Sequence, residues 1–250
     1  MAINSKHLEP GFLDALERYS RQLPIIGVKG QEKLAKSSIA IVGCGGVGTL
    51  VAELLARAGA GRLILIDHDV VALENLNRGT LLTEGDVGRP KAVVCAERVH
   101  KINSQVEVEA RRERLSRDNV DKLLGDADLV VGATDNIASR MLINEYAVEH
   151  RKPWIYVAAE DLRGMTMAII PGKTACLRCI IPRPPGREER GPPILGPVAA
   201  LASAHAALLA IKLLVGEKVP SAIYVIDAIS NTIEEVRVER NPRCPVCSRL

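Results

Sequence analysis

The sequence predicts an α/β fold of the Rossmann-like, doubly wound kind, with a mostly parallel sheet and a C-terminal antiparallel portion. Three observations carry that expectation. The β-branched run Ile39 to Val42 leads into Gly43-Cys-Gly-Gly-Val-Gly48 and then into a helical stretch, Thr49 to Ala58. A second run, Leu63-Ile-Leu-Ile66, ends on Asp67, about 20 residues beyond the glycines, where a mononucleotide-binding βαβ unit carries a carboxylate for ribose hydroxyls. Short apolar runs then recur with helical stretches between them, and the last of them, Ile223 to Asp227 and Thr232 to Val238, follow closely enough to pair as neighbours.

The bulk numbers agree with one large α/β unit. With 250 residues, 47% of them hydrophobic, the chain can bury a sizeable core, and with only six aromatics that core is aliphatic. Thirty-three basic and 30 acidic residues leave a formal charge of +3. There is no polybasic tail or aromatic-basic interleaving, so charge gives no reason to expect a nucleic-acid partner. No membrane segment is expected either, because the longest apolar run, Val198 to Val215, contains His205 and Lys212 and reads as a buried helix. Cysteines grouped in Cys-x-x-Cys pairs, without a dispersed disulfide pattern, predict a cytoplasmic protein.

In chain order, Asp14 to Leu23 reads as an amphipathic helix or turn whose Arg18, Tyr19 and Arg21 lie on a solvated face. Gly27 to Ser37 has Gly-x-x-Gly but no Gly-Lys-Ser/Thr ending, so it is not a Walker A loop. In the glycine loop, Gly43, Gly45, Gly46 and Gly48 allow the tight turn and close backbone approach that a phosphate at a helix N-terminus requires. After Asp67 come Asp69, Asn75, Asn77 and Arg78, on the carboxyl side of a strand, where open α/β sheets bind ligands. Lys91 begins the helix Pro90 to Ile102, against the helix dipole, which favours phosphate binding over a structural role.

Val106 to Ala110 alternates as a strand and Asp118 to Leu124 reads as a short helix. Asp128 to Gly132 is a further buried strand, followed by Asp135. Two readings of Asp135 stand side by side: a ligand of a hard cation such as Mg²⁺ facing bound phosphates, or the N-cap of the helix Ile137 to Glu149. Pro153 to Ala158 and Met165 to Ile170 are strands, Pro182 to Pro193 is rich in Pro, Gly and Arg, and a helix runs from about Pro197 to Val215.

Cys176, Cys179, Cys244 and Cys247 supply four thiolates in two short turns, a donor set suited to structural, tetrahedral Zn²⁺, with redox disulfides as the alternative. A closed four-thiolate shell leaves no position for substrate. Two thiols remain. Cys95 reads as a small buried hydrophobe, and Cys44 as a small residue beneath the nucleotide, although a helix N-terminus could lower its pKa.

Taken in order, Arg18-Tyr-Ser-Arg-Gln22, Gly43-Cys-Gly-Gly-Val-Gly48, Leu65-Ile-Asp-His-Asp69, Asn75-Leu-Asn-Arg78, Val87-Gly-Arg-Pro-Lys91, Thr134-Asp-Asn136 and the two cysteine pairs resemble the MoeB/ThiF/HesA family. These adenylyltransferases activate ubiquitin-like sulfur-carrier proteins. The resemblance runs from about Arg18 to Cys247 and casts residues 1–250 as a single adenylation domain. Its parts are a helical segment 1–37, a nucleotide-binding part 38–150 and a carrier-binding and zinc part 151–250.

It implies ATP-dependent adenylation of the C-terminal glycine carboxylate of a β-grasp carrier ending in Gly-Gly, with release of pyrophosphate. By resemblance, the glycine loop cradles ATP, Asp67 holds the ribose, Arg78 and Lys91 bind phosphates and Asp135 places Mg²⁺. Arg21 would act on the partner subunit's ATP in a homodimer. Two departures stand out. Gly79 follows Arg78 where relatives usually carry Gln, and the segment after Cys179 has no cysteine to form a thioester or acyl-disulfide. The enzyme is therefore expected to stop at the adenylate and hand it to a separate sulfur donor or conjugation partner. Competing readings are a dinucleotide-dependent oxidoreductase, a non-catalytic carrier-binding scaffold, and a relative that adenylates a small molecule or a tRNA base.

Overall fold

The computed structural model describes residues 17–182 and 193–250. The apolar runs become β1 (Ser38–Val42), β2 (Arg62–Ile66), β3 (Glu107–Arg111), β4 (Leu129–Gly132), β5 (Trp154–Glu160), β6 (Arg163–Ile169), β7 (Ala222–Asp227) and β8 (Thr232–Arg237). They form one eight-stranded sheet in the order β3-β2-β1-β4-β5-β6-β7-β8. The first five are parallel and the last three pair antiparallel. The change of sense follows from loop length. A tight turn with Asp161 at φ 54° reverses β5 directly into β6, whereas each earlier pair is joined by a crossover.

Between the strands lie α1 (Leu23–Ala35), α2 (Gly46–Ala58), α3 (Lys91–Ile102), α4 (Val120–Leu124), α5 (Ile137–Glu149), α6 (Leu177–Ile180) and α7 (Gly196–Val215). Strand β1 shows why both faces of the sheet must be covered. Ile39 and Ile41 point into the layer of α2, α3 and α7, while Ala40 and Val42 point into the layer of α4, α5 and α6. Helix α7 is apolar and long enough to cross a membrane by composition, yet it packs along α2, β5 and β6. Ala202, Ala206 and Ala210 are buried and permit close approach; Leu201 and Leu208 are exposed on its outer side.

The N-terminal expectation of a helix or turn is met by a turn, and it needs correction at Tyr19. Residues 17–22 form turns, and the helix begins at Leu23, with Pro24 in its first turn and a kink at Gly27, φ 69°; residues 14–16 lie outside the described residues. Arg18 and Arg21 are exposed as expected, but Tyr19 is buried. Its hydroxyl accepts a 2.9 Å hydrogen bond from Asn103 Nδ2, and its ring lies over Gly59, where a Cβ would come within 2.5 Å. A pattern of charged neighbours hid a core residue.

The connection from β2 to α3 carries several of the candidate ligands, and it is ordered by its own bonds. Val71 N–H donates to the Arg89 carbonyl and Gly88 N–H to the Val71 carbonyl, both at 2.8 Å. Buried Asp86 is the fastener between this connection and α3. Its carboxylate accepts from Thr83 Oγ1 at 2.6 Å, Arg89 Nη1 at 2.9 Å and Arg98 Nη2 at 3.0 Å. The Thr83 hydroxyl, with help from Arg98, holds the Asp86 carboxyl far below the usual carboxylate range. A group whose folded pKa is lowered stabilises the fold fully above its unfolded pKa, near 4, and loses that contribution as pH falls further. Asp86→Asn is therefore expected to lower the melting temperature at pH 7, with the difference from wild type shrinking in melts below about pH 4.

Candidate functional site

The strand order reverses direction at β1, which lies between β2 and β4, and ligand crevices in open α/β sheets form at such points. A cleft of about 1110 Å³ lies there, lined chiefly by β5 and by the segments that follow β1, β2, β3 and β4. The four loop glycines contribute differently. Gly43 has φ +97° and Gly48 lies so close to the Gly43 carbonyl that an added Cβ would sit 1.8 Å from its oxygen. Gly46 makes room for Arg78, whose Cγ would lie 2.5 Å from a Cβ there. At Gly45 a Cβ would meet open space, so this backbone faces the cleft.

Asp67 is buried and ties the loop down. One carboxylate oxygen accepts from Cys44 N–H at 2.7 Å and the other from Asp69 N–H at 2.8 Å. A carboxylate has about four acceptor positions, so capacity remains toward the cleft that it lines. Lys91 and Arg78 reach the same cleft with different anchors. Lys91 Nζ lies 3.1 Å from Asp69 Oδ2, whereas Arg78 Nη1 donates to the Glu74 carbonyl and to Asn77 Oδ1, both at 2.8 Å. Asn75 and Asn77 also line the cleft; Asn75 is buried, and its Oδ1 ties its own turn by accepting from Ala72 N–H at 2.9 Å.

The two readings of Asp135 separate cleanly. Asn136 caps α5, its side chain accepting from Ser139 N–H at 2.8 Å, while Asp135 is exposed in the cleft. The capping expectation is wrong by one residue, and the Asp135 carboxylate is left facing the site. Arg21 does not line this cleft.

Sequence reasoning missed Arg140 and Tyr156. Arg140 donates through Nε and Nη2 to the Thr134 carbonyl at 3.0 and 2.6 Å, and its guanidinium lies 5.6 Å from the Tyr156 ring centre. Both line the cleft, as does Glu160 at the end of β5. A signal existed for Arg140: it is a cation in the first turn of α5, the same opposition to the helix dipole that marked Lys91.

Neither Cys44 nor Cys95 is exposed. The neighbouring Cys95 thiol and burial push the Cys44 thiol well above its ordinary range, overturning any activation by the helix N-terminus. The other four thiols converge. Sγ separations are 3.9 Å for Cys176–Cys179, 3.7 Å for Cys176–Cys244 and 3.5 Å for Cys179–Cys247, with all four ligand atoms within 4.8 Å of one another. Four sulfurs about 2.3 Å from a tetrahedral Zn²⁺ stand roughly 3.8 Å apart, so the residues fit that ion. Asn241 N–H donates to Cys179 Sγ at 3.4 Å, and Arg240 Nη2 holds the Cys247 carbonyl at 2.7 Å.

Known proteins resemble this chain along nearly all its length. The ThiF family matches residues 19–246. A sulfur carrier protein adenylyltransferase of Thermus thermophilus is 37% identical over 249 residues, covering 94% of this chain and 91% of the relative. Protein HesA of Leptolyngbya boryana is 36% identical over 236 residues, covering 93% and 85%. Among solved structures, Escherichia coli MccB with ATP superposes with a TM-score of 0.83 at 28% identity, covering 92% of this chain and 74% of that one. The glycine loop, its acid and the two cleft cations thus sit in a shared fold, and the chain belongs to the ThiF family of ATP-dependent adenylyltransferases.

Proposed function

We propose that this enzyme transfers AMP from ATP to the C-terminal glycine carboxylate of a ubiquitin-like sulfur-carrier protein and releases pyrophosphate. The observation that carries the reading is the composition of the cleft. Cations, among them Lys91 and Arg78, and the Asp135 carboxylate beside the glycine loop face a space of about 1110 Å³, above the roughly 300–1,000 Å³ of a small-ligand pocket. That leaves room for a second substrate beside the nucleotide. The small side chains of Ala158 and Ala159 at the end of β5 line one part of it and suit an extended glycine tail.

In this reaction a carrier carboxylate oxygen attacks the α-phosphorus. The bond to the oxygen bridging the α- and β-phosphates breaks, pyrophosphate leaves, and an acyl-adenylate remains. No protein nucleophile is needed, and the contribution asked of the chain is positioning and charge stabilisation. Asp67 offers its remaining acceptor capacity to the ribose, and Lys91 and Arg78 offset charge on the phosphates. Asp135 would hold Mg²⁺, which when bound would supply neutralisation of the phosphates' charge. Arg21, exposed and away from its own cleft, is free to reach the site of a second copy; the exposed Ile25 beside it supports a homodimer. Gly79 is buried where a Cβ would lie 2.7 Å from Leu82 Cδ1, so a larger residue would require repacking there.

Three outcomes follow. Lys91→Ala and Arg78→Ala should each lower carrier-dependent pyrophosphate release by about 100-fold with the melting temperature near wild type. Equal rates with a carrier lacking its last glycine would refute the substrate assignment.

With all six thiols either buried in the core or gathered in the four-cysteine cluster, the reaction should end at the adenylate. Denaturing gels of enzyme, ATP and carrier run without reductant should show no reducible adduct, and a band removed by dithiothreitol would contradict this.

The four-cysteine cluster is proposed to hold structural Zn²⁺, tying α6 to the C-terminal turn. Cys244→Ser should lose metal, measured by elemental analysis, and melt at lower temperature, as expected where metal binding is worth roughly 10–16 kcal/mol in apparent terms. A metal-free variant melting like wild type would exclude that role.

A further inference from the structure

Lys91 is an awkward place for a charge. It opens α3, where the helix dipole disfavours a cation, and its side chain is only 11% exposed, where lost hydration disfavours the ammonium. A cation so placed calls for an anionic partner. Asp69 Oδ2, 3.1 Å away, is that anion.

The contact is built into the backbone. Lys91 N–H donates to the Asp69 carbonyl at 3.0 Å, and Asp69 N–H donates to Asp67 Oδ1 at 2.8 Å. Asp67, Asp69 and Lys91 are therefore held in register whatever side chain residue 69 carries. The carboxylate itself is 53% exposed, against 11% for the lysine, so it lies on the solvent side of the ammonium, within the cleft lining. Its other oxygen lies 3.3 Å from His68 Nε2. Asp69 thus stands where an incoming phosphate must go to reach Lys91.

We infer that Asp69 is an internal competitor for the nucleotide's phosphates, one that sets affinity by holding Lys91 until triphosphate displaces it. The inference rests on the reading of Lys91 as a phosphate ligand, and it replaces the expectation that Asp69 itself binds the cofactor. The step is an exchange of ion partners in which no covalent bond changes. The phosphate takes over the ammonium, and the carboxylate keeps His68 and water. Lys91 keeps an anionic partner throughout and stays aimed into the cleft. The carboxylate's repulsion of free triphosphate is the cost of that arrangement, and it makes the effect of Asp69 on affinity negative.

The test is the sign of that effect, measured by equilibrium dialysis of ATP in buffer free of magnesium and calcium, so that neither can bridge carboxylate and phosphate. The full-length wild type, Asp69→Asn, Lys91→Met and the double variant are compared. Asp69→Asn should bind ATP roughly two- to five-fold more tightly than wild type, the range of one partly exposed ion pair. Lys91→Met should bind more weakly, and the gain from Asp69→Asn should vanish in its background. Adenosine, which has nothing to offer Lys91, should bind all four alike. Asp69→Asn binding ATP no tighter than wild type overturns the inference, as does a gain that persists undiminished beside Lys91→Met, which marks general charge repulsion. If Lys91→Met leaves ATP affinity unchanged, the phosphate reading of Lys91 fails, a result distinct from failure of the exchange. Asp69→Ser, which keeps both backbone bonds, repeats the series if the amide variant does not fold.

Discussion

The cleft depends on a backbone contact that no side chain at residue 48 could survive. Gly48 packs against the Gly43 carbonyl so tightly that a Cβ would overlap it. This contact brings the first turn of α2 down onto the end of β1. Once the turn is that tight, Gly45 faces the cleft, and Gly46 can lie beneath the methylenes of Arg78. The same glycine run therefore serves two purposes, an approach for phosphate and a bed for a cation.

Much of this was legible in the sequence. The parallel strands announced themselves as β-branched runs because both faces of the sheet are buried, and the antiparallel end did so through short connections. The glycines, Asp67, Arg78, Lys91 and Asp135 all line one cleft, because they follow the carboxyl ends of parallel strands and such ends share one edge. What escaped depended on contacts between distant segments. Tyr19 is buried because Asn103 and Gly59 receive it, and neither partner is visible from its neighbours. Asn75 and Asn77 look alike as exposed amides in a loop, yet one ties its own turn and the other braces Arg78. The choice between Asp135 and Asn136 as cap needed backbone geometry to decide.

The cysteines divide in the same physical terms. Four converge at separations suited to one tetrahedral ion, on α6 and on the C-terminal turn beyond β8. They lie against the face of the sheet that carries α4 and α5, and the nucleotide cleft is lined by none of them. Metal there would fasten the antiparallel half of the sheet to the chain end while leaving the chemistry to charges elsewhere. The remaining two are sealed in the opposite layer, where the Cys95 thiol and burial push the Cys44 thiol up, away from the thiolate that acts as a nucleophile.

These placements bear on the choice between adenylation and the redox chemistry that the same βαβ unit supports in other proteins. A nicotinamide site needs a surface for the ring and one ribose acid. It has no use for two cations whose positions oppose a helix dipole or require a glycine beneath them. Lys91 and Arg78 each demand such compensation from Asp69, from Asn77 and from Gly46. A fold that keeps two costly cations beside the glycine loop is arranged for charge at phosphorus, which is where nucleotidyl transfer develops it.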